Sequence, residues 1–213
     1  MDPQRQDGDL PLIAWSDDVR AGDWLVRALA AFGTGLGSIV PDGFAAYARV
    51  LHPARRGRAK VRWRELATGP IDPGTRFEAL AAEGLHAPFM GTLDCGELHA
   101  LLDILTPETV GECWFGVWAG FGWVPDPPPA PRLALPERPL LLYRGPVAAA
   151  TALCEPFEQS PTLWWPDNRA WCVASEVDFH STYVGGSRRL IDRLLGDERI
   201  EALEVAVTDR VTD

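Results

Sequence analysis

The chain has no long hydrophobic run. The longest charge-free stretch in its aromatic centre is residues 113–125, thirteen residues rich in glycine, whereas a membrane-spanning helix needs about 20 apolar residues. A membrane partner is therefore not expected. The opening MDPQRQDGDLPLIAW lacks the basic start, apolar run and small-residue cleavage site of a secretory signal, which leaves a cytoplasmic location as the expectation. Cysteine is scarce: Cys95, Cys113, Cys154 and Cys172 form no C-x-x-C pair and have no histidine at finger-like spacing. In a cytosolic chain they read as free buried thiols, and no metal or cofactor is expected. The nucleophile elbow G-x-S-x-G, the zinc motif H-E-x-x-H and the phosphate loop are all missing. Gly33, Gly35 and Gly37 resemble a dinucleotide fingerprint only in part, since they follow a helix pattern instead of a strand. They read as a helix stop and a turn.

What is present describes a folded chain. Of 213 residues, 46% are hydrophobic and 23% charged, near the averages for globular proteins. The net charge of −10 repels nucleic acid and anionic membrane at long range, so nucleic acid is an unlikely partner. One segment opposes that sign: Arg49, Arg55, Arg56, Arg58, Lys60, Arg62 and Arg64 fall within sixteen residues that contain no acid.

Helical periodicity marks residues 22–32 behind a possible Asp23 cap, and residues 94–105, where Leu98, Leu101, Leu102 and Leu105 share a face. Shorter helices are expected at 147–153 and 187–195. Aromatic and β-branched runs predict strands at 113–124, 140–143, 170–179 and 200–207, and residues 43–51 suit a strand or a short helix. Residues 52–60 read as loop. Residues 125–139 hold seven prolines in fifteen positions and predict an extended connector. Single helices mixed with strands, without regular βαβ alternation, point to an α+β fold: one domain over residues 11–213, with a mixed or antiparallel sheet and about four helices. The connector crosses its surface, and residues 1–10 form a flexible N-terminus.

Two aromatic stretches stand out. In residues 163–186, LWWPDNRAWCVASEVDFHSTYVGG, a turn with Pro166 at its first central position would set the flanking tryptophans facing each other across a hairpin. Alternation along a strand 170–179 puts Glu176, Asp178 and His180 on one face. Those three are the candidate catalytic set, able to serve as acid and base or to hold a divalent metal if a second strand or loop brings more groups near; a solvated strand face explains the same residues. In residues 113–124, Trp114, Gly116, Trp118, Gly120 and Gly122 share a face. Bare glycines between two indoles predict a close approach by a ligand or by the protein's own core.

The arginine segment offers guanidinium forks to phosphates or an acidic partner, or to internal acids such as Glu176 and Asp178. GGSRRL, with Gly185, Gly186 and Ser187, reads as a turn and helix cap more readily than as an anion site assisted by Arg188.

Taken together, GSIVPDGFAAYARVLHPA, VRW, CWFGVWAGFGW, the long tryptophan stretch and the closing LIDRLL resemble a family of uncharacterised actinobacterial proteins over nearly the whole chain. The resemblance implies an intracellular globular protein and carries no activity or site residues. GSIVPDGFAAYARV is also loosely similar to the start of immunity-type proteins.

The expected function is a non-enzymatic protein-binding module. Its surface would combine Trp114, Trp118, Trp164, Trp165 and Arg169 with Arg55, Arg56, Arg62 and Arg64, because tryptophan and arginine dominate interface hot spots. The expected partner is an acidic protein, or a second copy of the chain. The alternative is a small-molecule enzyme or a phosphate- or nucleotide-binding protein that uses Glu176, Asp178, His180 and the arginines. It requires those side chains to converge in one pocket.

Overall fold

A computed structural model describes residues 13–121, 131–154 and 158–211. Strand β1 (Ala14–Ser16) and helix α1 (Asp23–Ala28) precede β2 (Ala46–Leu51), the short strands β3 (Ala54–Arg56) and β4 (Ala59–Val61), and α2 (Trp63–Leu66). Then come α3 (Cys95–Leu105), β5 (Cys113–Trp118), β6 (Leu140–Gly145), β7 (Leu163–Pro166), β8 (Cys172–Ala174), β9 (Ser181–Gly186), α4 (Arg188–Leu195) and β10 (Ala202–Val205). Eight strands form one sheet in the order β1-β6-β5-β7-β8-β9-β2-β10, and β3 and β4 form a separate hairpin. Every strand pairing is antiparallel, so the fold is α+β as expected. Among the described residues no helix is long and apolar enough to cross a membrane.

The helices start where side chains satisfy their free backbone donors. Asp94 accepts from the Gly96 N–H ahead of α3, and Ser187 accepts from the Leu190 N–H ahead of α4, the cap that the Gly-Gly-Ser pattern predicts. Helix α1 is shorter than its periodicity suggests. Leu29 is already extended, with ψ 135°, because the N–H of Ala30 donates to the carbonyl of Gly37 and folds the glycine-rich stretch back on the helix. Residues 147–153 wind as a 3-10 helix instead of an α-helix.

Both faces of the sheet are covered. Helices α3 and α4 press Leu98, Leu101, Leu105, Leu190, Ile191 and Leu194 onto Val50, Phe115, Trp164, Val173 and Val184. The opposite face, with Tyr47, Leu142, Trp165, Cys172 and Tyr183, lies under Leu25, Leu36, Val40 and Leu133. A third cluster joins Leu51, Ala54, Val61, Trp63 and Phe77 beneath the β3–β4 hairpin. Double coverage explains why every residue of β2, β7 and β9 is buried. A half-solvated antiparallel strand would have alternated with polar residues.

Several sequence expectations are corrected. Residues 52–60 are not loop: Arg56 pairs with Ala59, and Gly57 takes φ 61° at the first of two turn residues, where a type II′ hairpin requires glycine. The strand from Cys113 ends at Trp118. Gly122 to Ala130 lie outside the described residues, and so does the N-terminus 1–12. Of the connector, residues 131–139 are described; most are exposed, and they turn back on themselves instead of staying extended. Leu133 is buried and exchanges backbone hydrogen bonds of 2.9 and 3.0 Å with Leu140. The strand expected over 170–179 is β8 alone, after which the chain reverses into β9, a strand hidden by its glycine pair and hydroxyl residues. Because β1, β2 and β5 precede the connector while β6 to β10 follow it, one sheet draws on both sides of it.

The four cysteines are not all free thiols. Cys95 and Cys154 form a disulfide with a Cα–Cα distance of 6.0 Å, while Cys113 and Cys172 are free and buried. Positions along the chain carry no information about which cysteines meet in space, and free thiols follow only where the compartment is reducing.

Candidate functional site

The acid and imidazole row does not exist as a strand face. Between β8 and β9 the Phe179 N–H donates to the Glu176 carbonyl at 3.0 Å, closing a turn that parts His180 from the two carboxylates. Arg138 holds both carboxylates, Glu176 at 2.8 Å and Asp178 at 2.6 Å. Its guanidinium also lies over the rings of Trp118, at 5.4 Å, and Phe32, at 5.7 Å. His180 is buried against Phe77 and stands 3.8 Å from Glu78. The internal partner of Glu176 and Asp178 is thus Arg138, not the 49–64 segment. Among prolines and short apolar residues, Arg138 gave no sequence signal of its own. Without convergence of the three side chains on any of Arg55, Arg56, Arg62 or Arg64, the geometric condition of the enzyme reading is not met.

The glycine shelf is filled from within. A side chain at Gly116 would lie 2.7 Å from the Leu140 Cδ1 and 2.9 Å from the Leu163 carbonyl, and Gly120 is overlaid by the indole of Trp118. The bare positions serve the protein's own packing. Trp164 and Trp165 are each 1% exposed. Strand alternation sends them into the two opposite cores, so neither presents a binding face. Trp164 meets Trp171 edge-on at 5.0 Å, as the hairpin expectation required. The turn is one residue out of register with it, since the Arg169 N–H donates to the Pro166 carbonyl and Asp167 and Asn168 are the central pair.

Strand register separates the remaining candidates into two ends of the sheet. Cys113 pairs with both Pro166 and Gly145, and Ala46 pairs with Gly186; this end carries the 166–169 turn. The chain leaves β2 at the other end, after Leu51, where the arginine segment begins. A single surface joining Trp165 and Arg169 to Arg55 and Arg56 is therefore ruled out.

At the arginine end, much of the charge is neutralised. Arg55 binds Asp94 at 2.6 Å and lies 4.8 Å over the ring of Phe89. Lys60 bridges Asp94, at 2.6 Å, and Glu97, at 2.8 Å. The Arg62 guanidinium donates to the Glu198 carbonyl. Arg64 donates its backbone N–H to Glu201, leaving its exposed guanidinium without an ion pair to a described residue. Arg56 and Arg58 are likewise exposed at the hairpin tip and make no ion pair with a described residue. Beside Arg55 lie Phe89 and Met90, 42% and 56% exposed.

At the other end, an open hollow of about 400 Å³ is lined by Asp18, Arg20, Trp114, Trp165, Asp167 and Arg169. Asp167 accepts from the Trp114 indole at 2.8 Å and from the Glu112 N–H at 3.1 Å. Arg144, stacked 5.0 Å over Trp114, pairs with Asp167 at 3.1 Å and Glu112 at 2.9 Å. Burial alone would raise the Asp167 carboxyl, but these donors hold it below the usual carboxylate range. It stays ionised and committed. Arg169 stacks 5.3 Å over Trp24.

At the arginine end a buried polar chain runs across the ends of β2, β9 and β8. His52 Nδ1 is 2.8 Å from the Phe89 carbonyl and Nε2 is 2.8 Å from the Thr182 hydroxyl. A carbonyl only accepts, so Nδ1 carries the proton and Nε2 accepts from Thr182, which in turn accepts from Ser175 at 2.7 Å. Burial, with added repulsion from His180 and Arg49, pushes the imidazole down to about 4 against the acceptor effect of Phe89. The folded state therefore binds fewer protons than the unfolded state below the unfolded value of about 6.5. Stability is full above that pH and falls as pH drops towards 4, by about 3 kcal/mol from this group. Urea unfolding of the parent and of His52→Gln at pH 7 and pH 4 checks it. The variant should show a smaller pH dependence, and equal slopes would show that His52 is not the buried neutral group.

Arg49 is likewise fully buried, donating to Ser181 and to the Pro73 and Thr75 carbonyls at 2.9 Å. One basic residue of the seven therefore builds the core. Compared with protein-family models, curated proteins and solved structures, the chain matches none at a significant level.

Proposed function

We propose that the protein is a non-enzymatic protein-binding module that receives an acidic, partly apolar segment of a partner protein on its β3–β4 hairpin. One observation carries the reading: Arg56, Arg58 and Arg64 are exposed and make no ion pair with a described residue on a molecule of net charge −10, while their neighbours Arg55 and Lys60 are taken up by Asp94 and Glu97. Exposed Phe89 and Met90 add an apolar contact beside the cations. Charge complementarity at such a surface sets partner choice and association rate. DNA fits poorly, since a docked hairpin brings the molecule's own acids towards the phosphates. A cytoplasmic setting would keep Cys95 and Cys154 reduced, so the disulfide favours oxidising surroundings.

The test uses a fluorescein-labelled peptide of alternating glutamate and leucine, a labelled DNA duplex, and light scattering of the protein alone at low and high salt. The peptide should bind, and more weakly at about 0.15 M salt, where charges are screened beyond about 8 Å. Changing Arg56→Glu and Arg58→Glu together should weaken it by roughly tenfold or more, the loss of about 1.4 kcal/mol. Unchanged peptide binding in the double variant defeats the reading, as does tighter binding of the duplex. A salt-sensitive dimer that dissociates in the double variant would make the partner a second copy of the chain.

A further inference from the structure

We propose that the open edge of β10 is a docking site for an extended, basic segment of a partner protein, which adds a strand to the sheet. The backbone is the first argument. β10 is the last strand of the sheet. The Leu51 N–H donates to the Glu201 carbonyl at 2.9 Å, in the register that pairs Ala202 with Val50 and Leu203 with Arg49. Bonded pairs alternate along an antiparallel ladder, so Leu203 and Val205 turn their N–H and carbonyl groups to β2, while Ala202 and Glu204 turn theirs outward. The other side of β2 agrees with this parity, since the His52 N–H donates to the His180 carbonyl ahead of β9. The outward groups of Ala202 and Glu204 bond to no described residue. Ala202 is half-buried and Glu204 exposed, so an incoming strand can reach them. A row of free donors and acceptors at a sheet edge is a template for another strand.

The second argument is what lies beside that edge. A hollow of about 370 Å³ touches both Ala202 and Leu203, whose side chains lie on opposite faces of the sheet, so it opens beside the strand instead of under one face. Ile71, Leu195 and Leu203 on its wall are half-buried and Pro70 is exposed, which leaves apolar surface for short side chains. Charge names the occupant. Arg64 lines the hollow against Asp197, Glu198 and Glu201, a balance of two negative charges. The charged neighbours of these groups do not alter it, because Arg199 with Asp103 and Arg62 with Glu65 add two cations and two anions. Along the edge, Arg188 with Asp192 and Glu204 adds one more negative charge. A segment in which lysine or arginine alternates with short apolar residues complements such a surface. A second copy of the chain would bring two edges of the same negative balance together, which like charges oppose. This edge is distinct from the hairpin surface and asks for a partner of the opposite charge; Arg64 alone borders both.

The test titrates the whole isotope-labelled protein with three peptides: alternating lysine and valine, alternating glutamate and valine, and the lysine peptide methylated at every backbone nitrogen, which keeps its charge but cannot pair as a strand. Binding is read by NMR at the backbone amides of Ala202 and Glu204, so that an acidic peptide held at the hairpin is told apart. The lysine peptide should shift both amides and slow their exchange with solvent, leave the amides of the other edge strand, β1, unchanged, and bind about tenfold or more tightly than either of the other two. Glu198→Lys, on an exposed side chain without an ion pair to a described residue, should weaken it by about fivefold or more. The proposal fails if the glutamate or the methylated peptide binds as well at these amides, if β1 responds equally, if Glu198→Lys changes nothing, or if neither amide moves up to about 10 mM peptide. Protection of Ala202 and Glu204 in the protein alone, together with a dimer seen by light scattering, would make the occupant a second copy and also overturn it.

Discussion

Replacing Trp164 with alanine is expected to remove about 3 to 5 kcal/mol of stability, a large share of the roughly 5 to 15 kcal/mol that holds a domain together. The side chain is 1% exposed. It stacks with Phe115 at 5.8 Å, its register partner across β5 and β7, and meets Trp171 at 5.0 Å. Its removal opens a void in the core under α3 and α4 that no neighbouring side chain is long enough to fill without leaving its own contacts. Trp165→Ala should act similarly on the opposite face, where Trp165 meets Trp24 at 6.1 Å. Trp15, 44% exposed on the edge strand, is the control, with an expected change within about 0.5 kcal/mol. Urea unfolding followed by circular dichroism measures all three. A Trp164→Ala protein as stable as the parent would mean that the indole faces solvent, as a binding role for it requires.

Removing the disulfide is the second large effect. Cys95 opens α3 and Cys154 closes the 3-10 helix 147–153, with a sequence separation of 59. Closing a loop of that length restricts the unfolded chain by about 4 kcal/mol in the chain-entropy account, within a usual range of about 2 to 4 kcal/mol. The double change Cys95→Ala and Cys154→Ala is therefore expected to lower stability by at least about 2 kcal/mol. The folded parent should expose no reactive thiol and, once unfolded without reductant, should release two, from Cys113 and Cys172. Four thiols released under those conditions would show that the pair is not joined.

Elements with a strong local signal were legible in the chain itself. The 94–105 helix follows from its four leucines, and the 187–195 helix from the Ser187 cap, because caps and a 3.6-residue apolar period act within one or two turns of backbone. Glycine spoiled the reading elsewhere. Gly185 and Gly186 disguised β9 as a turn, though the paired strand β2 and the ring of Phe44 against Gly185 are what require small residues there. Gly116 and Gly120 suggested an open shelf where Leu140 and Trp118 of the same chain fill the space. A glycine reports that something comes close, and only the folded chain shows what.

The sequence by itself determined the class of the fold, the lack among the described residues of a helix long and apolar enough to cross a membrane, and the presence of one basic segment on an acidic molecule, because composition and local period need no partner. Tertiary structure decided everything that depends on which residues meet. Coverage of the sheet on both faces turned Trp164 and Trp165 into core; a chain reversal after Ala174 divided Glu176 and Asp178 from His180 and gave the two carboxylates to Arg138. Strand register put the arginine segment and the Arg169 turn at opposite ends, and Cys95 met Cys154 across 59 residues. Contacts of that kind depend on distances in space between segments far apart in the chain, and neither spacing nor periodicity along one strand or helix encodes them.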